Sequence, residues 1–310
     1  MKLSEDIHPL LDKRCVTLLS QFNIRSLSQL VAAKPEKLSS ILGRSYTVVC
    51  KLRKDLLAEF ASFPVLGLED YQSKLEREAS ISTGNSNLDK MLGGGLRGGT
   101  VYEVYGYPGT GKTQLCLTAA CNSLIRNGTV IVIDTKGDFC ADRFIEILSS
   151  RSSCGANSSL NDRLKICSAR TAESLLESVK MIDQMEGQDV SLLVVDNISL
   201  PVMRLVIDGD IQTGMNIGSR ISQLLHKIAD CKGSAVLLVS NMKGGTGNSS
   251  SGFSCVPALG SVWNCTAGVR ILLTWESNTN ISGTITRGSN IGSKCFVTVN
   301  KSGIVDIASI

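Results

Sequence analysis

The sequence predicts an α/β fold: a mostly parallel sheet with a C-terminal antiparallel extension, preceded by a small all-α domain. Three observations predict it. Residues 8 to about 60 place Leu, Val and Phe at three- and four-residue spacings, in PLLDKRCVTLLSQF, LSQLVAA and LSSILGRSYTVVCKLRKDLLAEF, the period of amphipathic helices. From about residue 80 short apolar runs take over, at GTVYEVYG, GTVIVIDT, VSLLVVDN, GSAVLLVSN and AGVRILLTW. Amphipathic stretches such as TQLCLTAACNSLIR, AESLLESVKMIDQM and GSRISQLLHKIADC separate several of them, and strand–helix alternation argues a parallel sheet covered on both faces.

Each element has its own punctuation. The N-terminal helices, residues 1–60, break at Gly43 and resume with Ser45 as a helix N-cap. Pro64 and Gly67 in ASFPVLGLEDY stop the last helix, and residues 61–79 read as a linker. The core follows over residues 80–310. Its tail, TITRGSNIGSKCFVTVNKSGIVDIA, reads as an antiparallel hairpin that extends the sheet. Residues 151–161 and 243–256 are rich in Gly, Ser and Asn and are expected to be mobile loops.

Composition narrows the class. The 310 residues carry a net charge of +4, which permits a polyanionic partner without requiring one. Eleven cysteines invite a secreted disulfide framework. Against it, the start MKLSEDIHPLLDKR has no apolar signal segment, and no CxxC pair occurs. Only His8 and His226 are available for a zinc site. No apolar run approaches the roughly 20 residues that span a bilayer. A soluble intracellular protein, its cysteines small core residues kept reduced, is the expectation.

The chemistry starts at GTVYEVYGYPGTGKTQLCLTAA. Gly106, four residues, Gly111, Lys112 and Thr113 form G-x-x-x-x-G-K-T between an apolar strand and an amphipathic helix, the context that a phosphate-binding loop requires. Gly106, Gly109 and Gly111, with Tyr107, Pro108 and Thr110 between them, let backbone amides converge on a phosphate at a helix N-terminus. Lys112 neutralises β- and γ-oxygens, Thr113 ligates Mg²⁺ and Gln114 follows. Asp196 ends the strand of SLLVVDNIS, the position of a carboxylate that holds Mg²⁺ through water. ATP and Mg²⁺ are therefore the expected cofactors.

STGNSNLDKMLGGGLRGGTVYEVYGYPGTGKTQLCLTAA resembles the opening of the RecA-type core in the eukaryotic and archaeal strand-exchange recombinases. Ser82-Thr83-Gly84, Leu88-Asp89, Leu92 to Gly95 and Thr113-Gln114 carry the likeness. It continues through the strand ending at Asp134, GSAVLLVSN and PALGSVWN, and the helical N-terminal domain matches as well. The linker FASFPVLGLEDY and PALGSVWN look most like the D-type branch of the recombinase paralogues, mediators found in complexes with other paralogues. The resemblance implies a RecA-like P-loop core, DNA as a partner, a hetero-oligomer of paralogues and a nuclear address.

The departures from the pattern are informative. The family's Asp-Thr-Glu-Gly-x-Phe reads Asp134-Thr135-Lys136-Gly137-Asp138-Phe139 here. Lys136 thus stands where the resemblance puts a general base, and an ammonium cannot accept a proton. Lys136 either contacts a phosphate or points into solvent, and Asp138 is the weak substitute base. The family's γ-phosphate sensor, a Gln after Asn241, is Met242. In Phe139-Cys140-Ala141-Asp142-Arg143 the last Arg remains, and in relatives it stacks on adenine. A nucleotide binder with weakened or lost hydrolysis is the expectation, and an active DNA-dependent ATPase is the alternative. A small-molecule kinase lacks support, because no Arg-rich lid segment is present.

The family's two DNA-contacting loops correspond to LPVMRLVIDGDIQTGMN, with Arg204, and KGGTGNSSSGFSC, with Lys243. So few cations predict weak, salt-sensitive DNA binding, or none. Lys51-Leu52-Arg53-Lys54 offers another contact, or a solvated helix face. The family's linker anchor, Phe-x-x-Ala, becomes Phe60 and Phe63. These rings either fill a different paralogue's pocket or pack on their own core.

Overall fold

The computed structural model describes residues 3–60, 67–68, 80–152, 162–185, 189–242, 258–259, 263, 265–276 and 280–307. Phe63, Lys243, nearly all of the linker and most of both Gly/Ser-rich stretches lie outside them. The chain divides into two compact units, Met1–Tyr71 and Gln72–Ile310.

Among its described residues the first unit has the α-helices α1 (Lys13–Gln21), α2 (Leu27–Ala32), α3 (Pro35–Leu42) and α4 (Tyr46–Phe60). Local chemistry starts each one. Asp12 accepts the Cys15 amide, Ser26 and Gln29 form a reciprocal capping box, and Pro35 sits at the first position of its helix. Ser45 Oγ accepts the Val48 amide ahead of α4. The heptad-like leucines converge inward, with Leu11, Leu19, Leu30, Leu38 and Val49 fully buried. In the basic segment, Leu52 is core and Arg53 donates to the Val31 carbonyl at 2.6 Å, joining α4 to α2. Lys51 and Lys54 of that run are exposed, so two of its three cations face solvent and the third, Arg53, is structural. Phe60 ends α4 with 40% of its surface exposed.

The second unit is a nine-stranded sheet in the order β3-β2-β4-β5-β1-β6-β7-β8-β9. The strands are β1 (Val101–Gly106), β2 (Val130–Asp134), β3 (Leu164–Ser168), β4 (Leu192–Asp196), β5 (Ala235–Asn241), β6 (Val269–Trp275), β7 (Ile281–Arg287), β8 (Lys294–Asn300) and β9 (Gly303–Asp306). Six neighbours, β3 to β6 in that order, run parallel, and β6 through β9 run antiparallel. The apolar runs read as buried strands are buried at every position of β1, β2 and β4, as sheets covered on both faces require. One face packs on α5 (Ser86–Met91), α6 (Lys112–Ile125) and α7 (Ala141–Arg151). The other packs on α8 (Ala172–Gln184), α9 (Ser199–Ile207) and α10 (Ile211–Lys232).

Pairing register fixes where the site forms. Asp134 on β2 lies opposite Asp196 on β4, and Gly106 on β1 lies opposite Asn241 on β5. Four strand ends therefore lie along the sheet's carboxyl edge, β1 and β5 reaching two residues beyond the level of Asp134 and Asp196, and open parallel sheets bind ligands at that edge. Ser82, Thr83 and Asp89, which carried part of the family likeness, form a brace at the far end of α6, where Asn122 donates to the Ser82 carbonyl at 2.9 Å. Asp89 Oδ1 accepts the Thr83 hydroxyl at 2.6 Å, and Asp89 Oδ2 accepts the Ser82 hydroxyl at 2.6 Å.

One expected loop is not a loop. LPVMRLVIDGDIQTGMN folds as the end of α9, a short turn at residues 208–210, and the start of α10. Asn197 Oδ1 accepts the Ser199 and Leu200 amides, Asp210 caps α10 through the Thr213 amide, and Val202 is buried. Arg204 is exposed on α9, and Asp208 and Asp210 are exposed at the turn. Apolar periodicity within a segment likened to a mobile loop was the overlooked signal.

The cysteines divide by environment. Cys15, Cys116, Cys121 and Cys295 are buried, as small core residues should be, but Cys140, Cys231 and Cys265 are exposed. Burial pushes the Cys121 thiol up to about 12 and the Cys295 thiol to about 11. Thiolate is the reactive form. Alkylation of the native protein near neutral pH, followed by peptide mapping, is therefore expected to label Cys140, Cys231 and Cys265 and spare Cys116, Cys121 and Cys295.

Candidate nucleotide site

The phosphate loop leaves β1 and enters α6 as the sequence pattern demands. Gly111, at φ 83°, precedes the first residue of α6 in the left-handed region. A Cβ on Gly106 would lie 2.2 Å from the Leu273 carbonyl oxygen, so the loop leaves β1 against backbone of the neighbouring strand. Thr110 is buried and donates to the Tyr107 carbonyl, while Tyr107, Pro108 and Gly109 are exposed. Lys112 curls back and donates to the Gly106 carbonyl at 2.9 Å and the Tyr107 carbonyl at 2.6 Å. Burial pulls the Lys112 pKa down, and the positive charge of Lys136 adds to the effect.

Asp196 faces this loop from β4. Its Oδ2 accepts the Thr113 hydroxyl at 2.6 Å, which joins the two residues assigned to a metal. Its Oδ1 stands 2.8 Å from Lys136 Nζ, a close ion pair without the alignment of a hydrogen bond. Lys136 also lies 3.6 Å from Asp138 Oδ2. Burial acts most strongly on the Lys136 ammonium and lowers its pKa, but Asp196 and Asp138 together outweigh it and hold the pKa above the ordinary lysine value. Of the two alternatives for this side chain, a solvent-pointing lysine does not describe its contacts. It sits on the carboxylate.

Asp134 serves a different purpose. Its two oxygens accept the amides of Lys136, Gly137 and Phe139 at 2.8–3.0 Å. Burial raises its pKa, but these backbone donors prevail and hold the carboxyl below its usual range. The strand-end aspartate thus shapes the turn that aims Lys136 at Asp196. Thr135 locks the same turn to β4, donating its hydroxyl to the Asn197 carbonyl and accepting the Asn197 amide, both at 2.7 Å. Asn241 accepts a bond from the Asn197 side chain at 2.9 Å. A small pocket beside this cluster is lined by Thr113, Asp138 and Asp196 with Cys116, Val132 and Val194.

Arg143, on α7, donates to Gln114 Oε1 at 2.9 Å and to the Asn300 carbonyl at 2.5 Å, and pairs with Glu146. It therefore connects the phosphate helix to the turn between β8 and β9. The sequence named Gln114 and Arg143 separately and gave no sign that they touch.

A nucleotide's phosphates fit this loop, because its glycines expose backbone and Lys112 is an under-neutralised cation beside it. For a divalent ion the donors are Thr113 and Asp196. As the side chains stand, the ion's place on Asp196 Oδ1 is taken by the Lys136 ammonium. Among the described residues, no group of three or more His, Cys, Asp or Glu offers another metal site, and no helix is long and apolar enough to cross a membrane.

The Rad51 family model matches residues 75–307. DNA repair protein RAD51 homolog 4 of Mus musculus is 31% identical over 276 residues, covering 86% of this chain and 82% of that protein. The Bos taurus protein of the same name is 31% identical over 292 residues, 89% of this chain and 85% of its own length. DNA repair protein RAD51 homolog 2 of Mus musculus is 26% identical over 296 residues, 82% of this chain and 83% of that protein.

Proposed function

The chain belongs to the Rad51 family, and from that premise we propose that it is an ATP-binding recombinase paralogue in homologous-recombination repair of DNA double-strand breaks. It works as one subunit of a hetero-oligomer of paralogues that binds DNA and assists assembly of a recombinase filament. Its place of work is the nucleus. The observation that carries this reading is Lys136 seated on Asp196 beside a complete phosphate loop. A protonated amine there cannot activate water, and Met242 in place of a sensor amide cannot donate to a γ-phosphate. Binding survives these changes because the loop's own residues are intact.

DNA contact by the chain alone is weak in this reading. Arg204 shares its surface with Asp208 and Asp210, so the hairpin between α9 and α10 repels about as much phosphate as it attracts. The partner complex supplies the remaining affinity. Phe60 and Phe63 serve as the anchor for a paralogue whose pocket accepts two rings.

The second reading, an active DNA-dependent ATPase, needs Asp138 as its base. Asp138 has Lys136 Nζ at 3.6 Å, a partner that competes with water for its carboxylate. The test is co-purification with candidate paralogues followed by ATP binding and turnover on the chain alone and on the complex. Expected are ATP binding, co-elution with a paralogue and negligible turnover by the chain alone. DNA-stimulated turnover like a strand-exchange enzyme's, unchanged in Lys136→Ala, sinks the proposal in favour of the second reading.

A further inference from the structure

The ammonium of Lys136 lies between two carboxylates, 2.8 Å from Asp196 Oδ1 and 3.6 Å from Asp138 Oδ2. Asp196 presents its other oxygen to the Thr113 hydroxyl. Its position is imposed by rigid parts. Three amides bonded to Asp134 and the two bonds between Thr135 and Asn197 set the turn that carries it. A divalent cation on Asp196 must displace this ammonium or stand a few ångströms from it and be repelled. Mg²⁺ also dehydrates reluctantly and demands near-octahedral oxygen donors, and an ammonium offers none.

The geometry points to Lys136 as a resident cation that does the charge-neutralising work of the divalent metal, so that this chain binds nucleoside triphosphates with little dependence on Mg²⁺. The inference rests on the nucleotide-binding reading above and says which cation serves that site. A lysine is a point-charge phosphate binder with three donors. Its ion pairs with Asp196 and Asp138 fix the ammonium in place, and as a point charge it can still face a phosphate oxygen. Lys112 lies on the loop side, so the polyphosphate is held between two ammonium groups. Bound phosphate also supplies a counter-charge to Lys112, whose hydrogen bonds go to carbonyls.

The experiment is ATP titration of the purified full-length chain, by calorimetry at constant ionic strength, in excess Mg²⁺ and in excess EDTA. The wild-type affinities are expected to agree within about threefold, and those of Lys136→Glu to differ by at least about tenfold in favour of Mg²⁺. Electron paramagnetic resonance with Mn²⁺ gives a readout independent of affinity. Little Mn²⁺ is expected on the wild-type ATP complex, and about one ion per bound nucleotide on Lys136→Glu. A wild-type affinity that falls about tenfold or more in EDTA, or stoichiometric Mn²⁺ on the wild-type complex, overturns the inference and leaves the nucleotide reading standing. No binding in either buffer overturns both. Because the wild-type comparison alone decides, a variant that fails to fold does not rescue the idea.

Discussion

Arg270→Met is expected to destabilise the larger unit by about 3–5 kcal/mol and to lower its melting temperature by roughly 10 °C. Arg270 on β6 lies opposite Glu103 on β1, and its Nε donates to Glu103 Oε2 at 2.6 Å. Glu103 has no exposed surface, and its other oxygen accepts the Ser240 hydroxyl from β5. A second Arg270 nitrogen donates to the Trp263 carbonyl at 3.1 Å. Removing the guanidinium leaves an ionised carboxylate inside three adjacent strands with one hydroxyl for company. Its uncompensated desolvation is the dominant cost.

Glu103→Leu combined with Arg270→Met removes both charges, and the double variant is expected to recover to within about 2 kcal/mol of wild type. What remains is the loss of bonds to Ser240 and the Trp263 carbonyl, each worth about 1 kcal/mol. Thermal and urea unfolding of the single and double variants completes the cycle. A single variant that melts with wild type means the pair is hydrated and this account of the sheet centre is wrong. The consequence reaches the site, because Ser240 immediately precedes Asn241, whose side chain joins the network at the strand ends.

The buried pair also marks where sequence reading stops. GTVYEVYG and AGVRILLTW were legible as strands through their apolar runs, and the single charge within each was not singled out. That Glu103 and Arg270 answer one another, 167 positions apart, depends on β6 joining the sheet beside β1. Strand order is a tertiary outcome that no local spacing encodes. The phosphate loop was legible for the opposite reason, since its glycines, lysine and threonine are contiguous and their spacing is the mechanism. Lys136 was legible as a substitution and not as a contact. Its meeting with Asp196 needs β2 and β4 to be neighbours in register. The hairpin between α9 and α10 was misread because a likeness to loops elsewhere outweighed the apolar period of LPVMRLVI. Caps at Asp12, Ser26 and Ser45 are short-range chemistry, and Ser45 was read as one from the sequence.

Lys112→Ala is expected to weaken ATP binding by at least about two orders of magnitude while leaving the fold nearly as stable. The lysine is buried yet bonded only to carbonyls, those of Gly106 and Tyr107, with Lys136 adding repulsion. A depressed lysine pKa means the fold disfavours its charge, so that charge opposes stability at neutral pH. The cost lifts only as pH rises through the folded value towards the ordinary one. Deleting the side chain removes this unfavourable term and frees two carbonyls, which cost about 1–3 kcal/mol each only if water cannot reach them. Tyr107 is exposed, so solvent reaches at least one, and the opposing terms largely cancel. Binding has no such cancellation. Charge-assisted bonds to phosphate contribute about 1.5–3 kcal/mol each, and losing contacts to both β- and γ-oxygens exceeds the ~2.8 kcal/mol that a hundredfold represents. Lys112→Arg is expected to recover little, because a planar guanidinium cannot follow the curl that brings Nζ within 2.9 Å of the Gly106 carbonyl. Calorimetric titration with ATP, alongside thermal unfolding without it, separates the two effects. An alanine variant that binds ATP within about fivefold of wild type removes Lys112, and with it the phosphate-loop reading, from the account of this site.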